Sequence, residues 1–238
     1  MILRPTSVSP LLLTCEHACS RLPKGTAATR EERRVLASHH GVDIGAWALT
    51  RKIAARLSAT ALGGSCSRLW IDLNRSTGDP ELVRQEAAGI DLGWNRELSP
   101  EDIESRIRTA HDPYHAAIDE QIRRRLSLGV QPMLLSIHSF TNRWNGRTRG
   151  FDCGVLYNRH GRHARTLAAG LRKENLTVKY NAPYSGKLGM MYSIERHGSG
   201  HNLPCLELEL NQNRIGGGAT FAALAPAITR AVQGLLDL

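Results

Sequence analysis

The chain has 238 residues, 41% of them hydrophobic, and no Ser/Gly/Pro-rich linker or compositional break, so residues 1–238 are expected to form a single domain with a substantial core. A formal charge of +9 raises nucleic acid as a partner, yet the arginines are scattered through helical stretches (Arg106, Arg108, Arg123, Arg124, Arg125) without interleaved aromatics, which favours small anionic substrates and makes nucleic acid an unexpected partner. The five cysteines include no CxxC pair, no apolar run approaches ~18 residues, and residues 1–10 lack a secretory pattern; a cytoplasmic protein with no membrane partner is expected.

Residues 11–15 are a short apolar run that predicts a buried strand, ending at Glu16-His17, and Pro23-Lys24-Gly25 breaks the loop behind it. Residues 29–40 form a charged helical stretch. In residues 43–57 the apolar positions Ile44, Trp47, Ala48, Ile53, Ala54 and Leu57 follow the 3.6-residue period of an amphipathic helix, with Asp43 placed where a carboxylate caps free amides. Residues 67–73 predict a second strand, leading into Asn74-Arg75. Residues 100–128 read as one long helix or two, with a break near Asp112-Pro113. Residues 133–137 predict a central strand that delivers His138 to the sheet edge. Residues 142–150 are polar and glycine-bearing, as active-site loops are.

A strand over 153–157, a helix over 161–171, a short strand over 177–180 and a long functional loop over 181–203 follow. A last core strand over 204–210 and a closing helix over 219–236 complete the chain. Strands alternating with helices predict a three-layer α/β/α sandwich around a mostly parallel mixed sheet.

In open α/β sheets the ligand crevice lies beyond the carboxyl ends of the strands, where His17, His138 and Glu209 would converge. Two imidazoles and a carboxylate with one open position make a catalytic zinc site. Candidates for the third ligand are Asp43, Glu16 and His39. Glu16 adjoins His17 and in a regular strand points to the opposite face. Asp43 is preferred, because the loop after the first strand can bring that helix start over the crevice. Glu207 and Glu209 share a strand face; Glu209, nearer the end, suits a general base, and Glu207 suits an ion pair with an arginine from a neighbouring strand. Arg75 offers a planar fork for a carboxylate, Asn74 an amide beside it, and Asp72 could orient either. Plainer roles exist for each: a structural histidine, a helix cap, a surface ion pair.

The segments Cys15-Glu16-His17-Ala18-Cys19-Ser20-Arg21-Leu22-Pro23, His39 with Asp43-Ile44-Gly45-Ala46, Ser67-Arg68-Leu69-Trp70-Ile71-Asp72-Leu73-Asn74-Arg75, Leu135-Ser136-Ile137-His138-Ser139-Phe140 and Leu208-Glu209-Leu210 resemble, in order, the N-formylglutamate amidohydrolase family. The first motif is similar to the EHAS-like rather than the PHSG-like branch. The resemblance implies a phosphorylase/hydrolase-like fold shared with zinc carboxypeptidases and cell-wall amidases. It also implies that Asn74 and Arg75 match the DLNR-like element with which the carboxypeptidases grip a terminal carboxylate. Carboxypeptidases supply a glutamate three residues after their first histidine, where this chain has Ser20; cell-wall amidases take a carboxylate from the following helix, the position of Asp43.

The expected function is a zinc-dependent amidohydrolase that cleaves an N-acyl bond, N-formyl included, of a small acidic amino-acid derivative. His17, Asp43 and His138 would hold Zn²⁺, Glu209 would move the proton, Asn74 and Arg75 would anchor a carboxylate, and Arg149, Arg196 and His197 would add contacts from loops. The rivals are a cysteine hydrolase using Cys15 or Cys19 with His17, and a non-catalytic binder of anionic metabolites or nucleic acid.

Overall fold

A run such as Leu11-Leu12-Leu13 is apolar on both sides of the pleat and is stable only where both faces of a sheet are covered. The computed structural model describes residues 1–238, the side chain of Ala219 apart, and gives these runs that setting. Its strands are β1 (Ile2–Leu3), β2 (Leu11–Cys15), β3 (Thr60–Gly63), the ribbon β4 (Glu86–Ala87) and β5 (Ile90–Asp91), β6 (Met133–Phe140), the hairpin β7 (Arg143–Trp144) and β8 (Arg147–Thr148), β9 (Cys153–Leu156), β10 (Val178–Tyr180) and β11 (Cys205–Asn211). Its helices are α1 (Arg30–Ala37), α2 (Ala46–Arg56), α3 (Pro100–Arg106), α4 (Asp112–Ser127), α5 (Gly161–Lys173), α6 (Tyr192–Gly200), α7 (Gln212–Ile215) and α8 (Gly218–Leu236).

Seven strands form one sheet in the order β1-β3-β2-β6-β11-β9-β10. The β3-β2-β6-β11 block is parallel, as is the β9-β10 pair, while β1 joins β3 and β9 joins β11 antiparallel. Alternation then sorts the side chains. Leu11, Leu13, Leu135, Leu206 and Leu208 pack with α2, α5 and α8 on one face, whereas Leu12, Leu134 and Cys205 pack with α4 and α6 on the other. The three-layer sandwich with a mostly parallel mixed sheet is the observed fold.

Three local expectations differ from the structure. Residues 67–73 are irregular: Ser67 Oγ donates to the Gly41 carbonyl and accepts from the Leu69 amide, and Asp72 accepts from the Asn74 amide, so local side-chain bonds replace a ladder. The neighbouring strand is instead β3, a buried TALG segment too short and too rich in small residues to stand out. The stretch 181–203 contains α6 as well as loop. Asp43 caps nothing, because α2 starts at Ala46 behind Gly45, whose φ of 81° and whose contact with the Ile215 carbonyl exclude a Cβ. The expected break near Asp112-Pro113 is a π-turn over Ile107–His111, after which Pro113 occupies the first turn of α4.

Candidate metal centre and substrate pocket

The parallel register sets Thr14 opposite Ser136 and Glu209 opposite His138, so the carboxyl ends of β2, β6 and β11 lie side by side. β2 ends at Cys15, two residues before His17. There the backbone leaves the sheet, and the Asp43 amide donates to the His17 carbonyl at 3.0 Å, which fixes the turn before α2 over the strand ends. The ligand atoms of His17, Asp43 and His138 all lie within 4.8 Å of one another, and all three residues are buried.

Both imidazoles are oriented in the same way. His138 Nδ1 lies 2.7 Å from Asp43 Oδ2 and its Nε2 2.9 Å from Glu16 Oε2; His17 Nδ1 lies 3.6 Å from Asp43 Oδ2 and its Nε2 2.7 Å from Asp72 Oδ1. A carboxylate can only accept, so each Nε2 carries a hydrogen; His138 Nδ1, 2.7 Å from Asp43 Oδ2, carries a second one that a bound cation would displace, while His17 Nδ1 has no hydrogen-bond partner among the described residues. Backing a ligand imidazole with a carboxylate in this way is the usual support of a metal site. The carboxylates are themselves held: Glu16 accepts from Ser136 Oγ at 2.6 Å and Tyr114 OH at 3.0 Å, and Asp72 accepts from Arg68 Nη2 at 2.8 Å and Nε at 3.2 Å.

The donor set fits a divalent cation on two grounds. His17 Nδ1, Glu207 Oε2 and Glu209 Oε2 are buried without a hydrogen-bond partner among the described residues, and all three residues line one pocket. Five buried carboxylates (Glu16, Asp43, Asp72, Glu207, Glu209) also crowd two imidazoles and the Arg68 guanidinium, an excess of negative charge in a low-dielectric volume.

The titration behaviour follows from the same crowding. Burial alone would raise Asp43 and Asp72, but His17 and His138 hold Asp43, and Arg68 and His17 hold Asp72, well below the carboxylate range. Burial works the same way on Glu16, and the bonds from His138 and Ser136 overcome it. Burial would lower His138, yet Glu207, Asp43 and Glu16 hold it well above the ordinary imidazole value. Burial pushes Glu207 and Glu209 up to about 8, against the opposing pull of the neighbouring His138.

The pocket encloses about 280 Å³. Its rim is basic, with His39, His40, Arg68, Arg75 and Arg84, and its far wall is aromatic, with Phe140, Trp144 and Tyr184. Of the residues singled out by sequence, His17, Asp43, His138, Glu209, Asn74 and Arg75 meet here. Asn74 Oδ1 accepts from the Ser193 amide at 2.9 Å and one Nδ2 hydrogen goes to the Met190 carbonyl at 3.3 Å, leaving the other hydrogen available; Arg75 Nη1 pairs with Asp79 at 3.3 Å.

Four expectations are corrected. Glu16 does not point away from the site: it keeps the strand parity of Leu12 and Thr14, the face of Ser136 and His138, while His17 departs from the strand. His39 lies on the rim, its ring centroid 4.0 Å from that of His40, outside the trio. Glu207 pairs with no arginine and instead stands 3.7 Å from His138 Nε2. Arg196 and His197 lie off the pocket because their segment is helical: Arg196 is exposed and bonds Tyr192 OH at 3.2 Å, and His197 faces α4, between Asp119 at 2.6 Å and His115 Nδ1 at 2.9 Å. Sequence reasoning did not single out Arg68, although its spacing of four from Asp72 made the pair visible.

The family model of N-formylglutamate amidohydrolase matches residues 9–215. Among solved structures, a gene product of Agrobacterium tumefaciens superposes with a TM-score of 0.90 at 27% identity, covering 100% of this chain and 94% of that one. The N-formylglutamate amidohydrolase of Ralstonia eutropha superposes with a TM-score of 0.75 at 20% identity, over 96% of this chain and 93% of its own length, and so has the same fold. No curated protein is similar enough to count as a match. With a family match over residues 9–215 and a shared fold, the chain belongs to the N-formylglutamate amidohydrolase family, hydrolases of amide bonds.

Proposed function

We propose that this protein is a zinc-dependent amidohydrolase that cleaves the N-acyl amide bond, N-formyl included, of a small acidic amino-acid derivative. The observation that carries the reading is the matched pair of carboxylate-backed imidazoles turned towards Asp43, with an unpartnered His17 Nδ1 and an unpartnered Glu209 Oε2 in one pocket. His17 Nδ1, Asp43 and His138 Nδ1 would hold the cation, which supplies a Lewis acid that polarises the amide carbonyl and makes water acidic enough to react near neutral pH.

Glu209 Oε2 takes the proton from the attacking water and returns it to the departing amine nitrogen; burial, which raises its affinity for a proton, suits it to both transfers. Arg68, fixed by two bonds to Asp72, sets a permanent positive charge in the pocket where negative charge develops on the amide oxygen. Arg75 and the free Asn74 amide hydrogen hold a substrate carboxylate, and the basic rim draws the anion in. A thiol nucleophile is disfavoured: Cys15 is fully buried in β2, and burial pushes its thiol well up.

The reading is tested by assaying amine release from N-acyl amino acids, N-formylglutamate among them, before and after chelation and zinc restoration. Release that chelation abolishes and zinc restores supports it. Release indifferent to chelation, or no release from any N-acyl amino acid, contradicts it.

A further inference from the structure

Asn74 and Arg75 lie in an irregular stretch with no sheet ladder, so beyond the turn bonds to Asp72 their position is set by groups from other elements. Two helices supply those groups. At the start of α6 the Ser193 amide donates to Asn74 Oδ1 at 2.9 Å, and the Met190 carbonyl just before that helix accepts from Asn74 Nδ2 at 3.3 Å. At the start of α4 the fully buried His111, the last residue of the π-turn, donates from Nε2 to the Arg75 carbonyl at 3.0 Å. A π-turn set into an α-helix is a recurring mark of a functional position. Arg149, by contrast, is held by its own loop, with Nη1 donating to the Thr141 carbonyl at 3.3 Å and the guanidinium carbon 5.4 Å from the Trp144 ring.

The same two helices are tied to each other by imidazoles that the hydrolysis does not use. His111 and His115 are four apart and so share a helix face, and their ring centroids lie 4.3 Å apart. His115 Nδ1 lies 2.9 Å from His197 Nε2 in α6, and His197 Nδ1 donates to Asp119 Oδ1 in α4 at 2.6 Å. Ser193 and His197 are also four apart, so one face of α6 carries both the bond to Asn74 and the tie to α4. All three imidazoles are buried, which costs free energy that an apolar filling of the same space would not. We infer that His111 is a positioning residue for the carboxylate anchor: through the Arg75 carbonyl it sets where the guanidinium stands, while the His115-His197-Asp119 tie holds α4 against α6. The inference rests on the proposed hydrolysis, in which Asn74 and Arg75 hold the substrate carboxylate.

The test measures formate release by the zinc-loaded enzyme from N-formylglutamate and from its diamide, which lacks both carboxylates. It compares the wild type with His111→Phe, His111→Gln, Arg75→Ala and the double variant His111→Phe with Arg75→Ala. Phenylalanine keeps a ring and removes the donor; glutamine keeps a donor that reaches the same carbonyl. His111→Phe should raise KM for N-formylglutamate by about three- to ten-fold, as the loss of one neutral hydrogen bond implies, with kcat within about two-fold. KM for the diamide should change by no more than about two-fold, and His111→Gln should restore most of the KM for N-formylglutamate. With Arg75 already alanine, His111→Phe should add no more than about two-fold. Zinc content and melting temperature, read on the same preparations, separate a misplaced anchor from a damaged fold, and His111→Leu repeats the comparison should His111→Phe fold poorly. An unchanged KM in His111→Phe, an equal rise on the diamide, a full further loss on top of Arg75→Ala, or His111→Gln no better than His111→Phe would overturn the inference while leaving the hydrolase reading intact. No formate release from N-formylglutamate by the wild type would overturn the proposed hydrolysis and this inference with it.

Discussion

Replacing Glu16 with glutamine removes one charge from behind His138 while keeping its volume and most of its bonds. Glu16 is buried and accepts from three donors, Ser136 Oγ at 2.6 Å, His138 Nε2 at 2.9 Å and Tyr114 OH at 3.0 Å. The glutamine amide would keep its oxygen on the Ser136 and His138 side, where the ring N–H cannot reverse, and turn its NH₂ to Tyr114, whose hydroxyl can rotate to accept. What is lost is the charge. A bond to an ionised acceptor contributes about 1.5–3 kcal/mol and a neutral one about 0.5–1.5 kcal/mol, so His138 Nδ1 loses about 1–2 kcal/mol of support as a ligand. That corresponds to zinc binding weakened by about 5- to 30-fold. Zinc affinity is measured by competition with a chelator of known affinity, alongside melting of the metal-free protein. Glu16→Ala, which strands three buried donors at about 1–3 kcal/mol each, should instead lower the melting temperature severely. If Glu16→Gln binds zinc as tightly as the wild type, Glu16 does not tune His138 and the support argument is wrong.

Glu209→Gln should retain zinc yet lose about 10²–10⁴ in kcat, because a glutamine cannot take the water's proton; metal content and steady-state kinetics on the same preparation check it. Arg75→Ala should raise KM for carboxylate substrates by roughly ten-fold or more with a smaller effect on kcat, and the penalty should vanish for substrates whose carboxylate is amidated. Arg196→Ala should leave stability within about 0.5 kcal/mol and kinetics unchanged, since the side chain is exposed and off the pocket. His197→Ala should cost about 1–3 kcal/mol in thermal unfolding, because it strands the buried His115 Nδ1 donor.

The sheet and the core of the site were legible because both rest on strand ends. An apolar run that stops at a histidine or a glutamate announces a buried strand and the side chain at its lip, which located His17, His138 and Glu209. Asp43 followed from loop geometry and resemblance, not from helix chemistry, since its apparent capping position lies ahead of the true start of α2. What stayed hidden depends on packing between segments far apart in the chain. Regular parity puts Glu16 on the face opposite His17 and so away from the site, but β2 ends at Cys15 and it is His17 that leaves the parity while Glu16 keeps it. Glycines at 186, 189, 198 and 200 make 181–203 read as a loop and hide α6, the helix that carries Arg196 and His197. β3 is hidden for a related reason: a four-residue strand of small side chains carries little periodic signal, and its burial comes from its neighbours β1 and β2.

The proposed hydrolysis requires one divalent cation between His17, Asp43 and His138. It is tested most directly by elemental analysis of protein purified without chelators, wild type beside His17→Ala and His138→Ala. One equivalent of zinc per chain in the wild type, and little in either variant despite native folding, is the expected result. Metal-free wild type that still releases amine from an N-acyl amino acid, or variants that keep their full metal content, would contradict it.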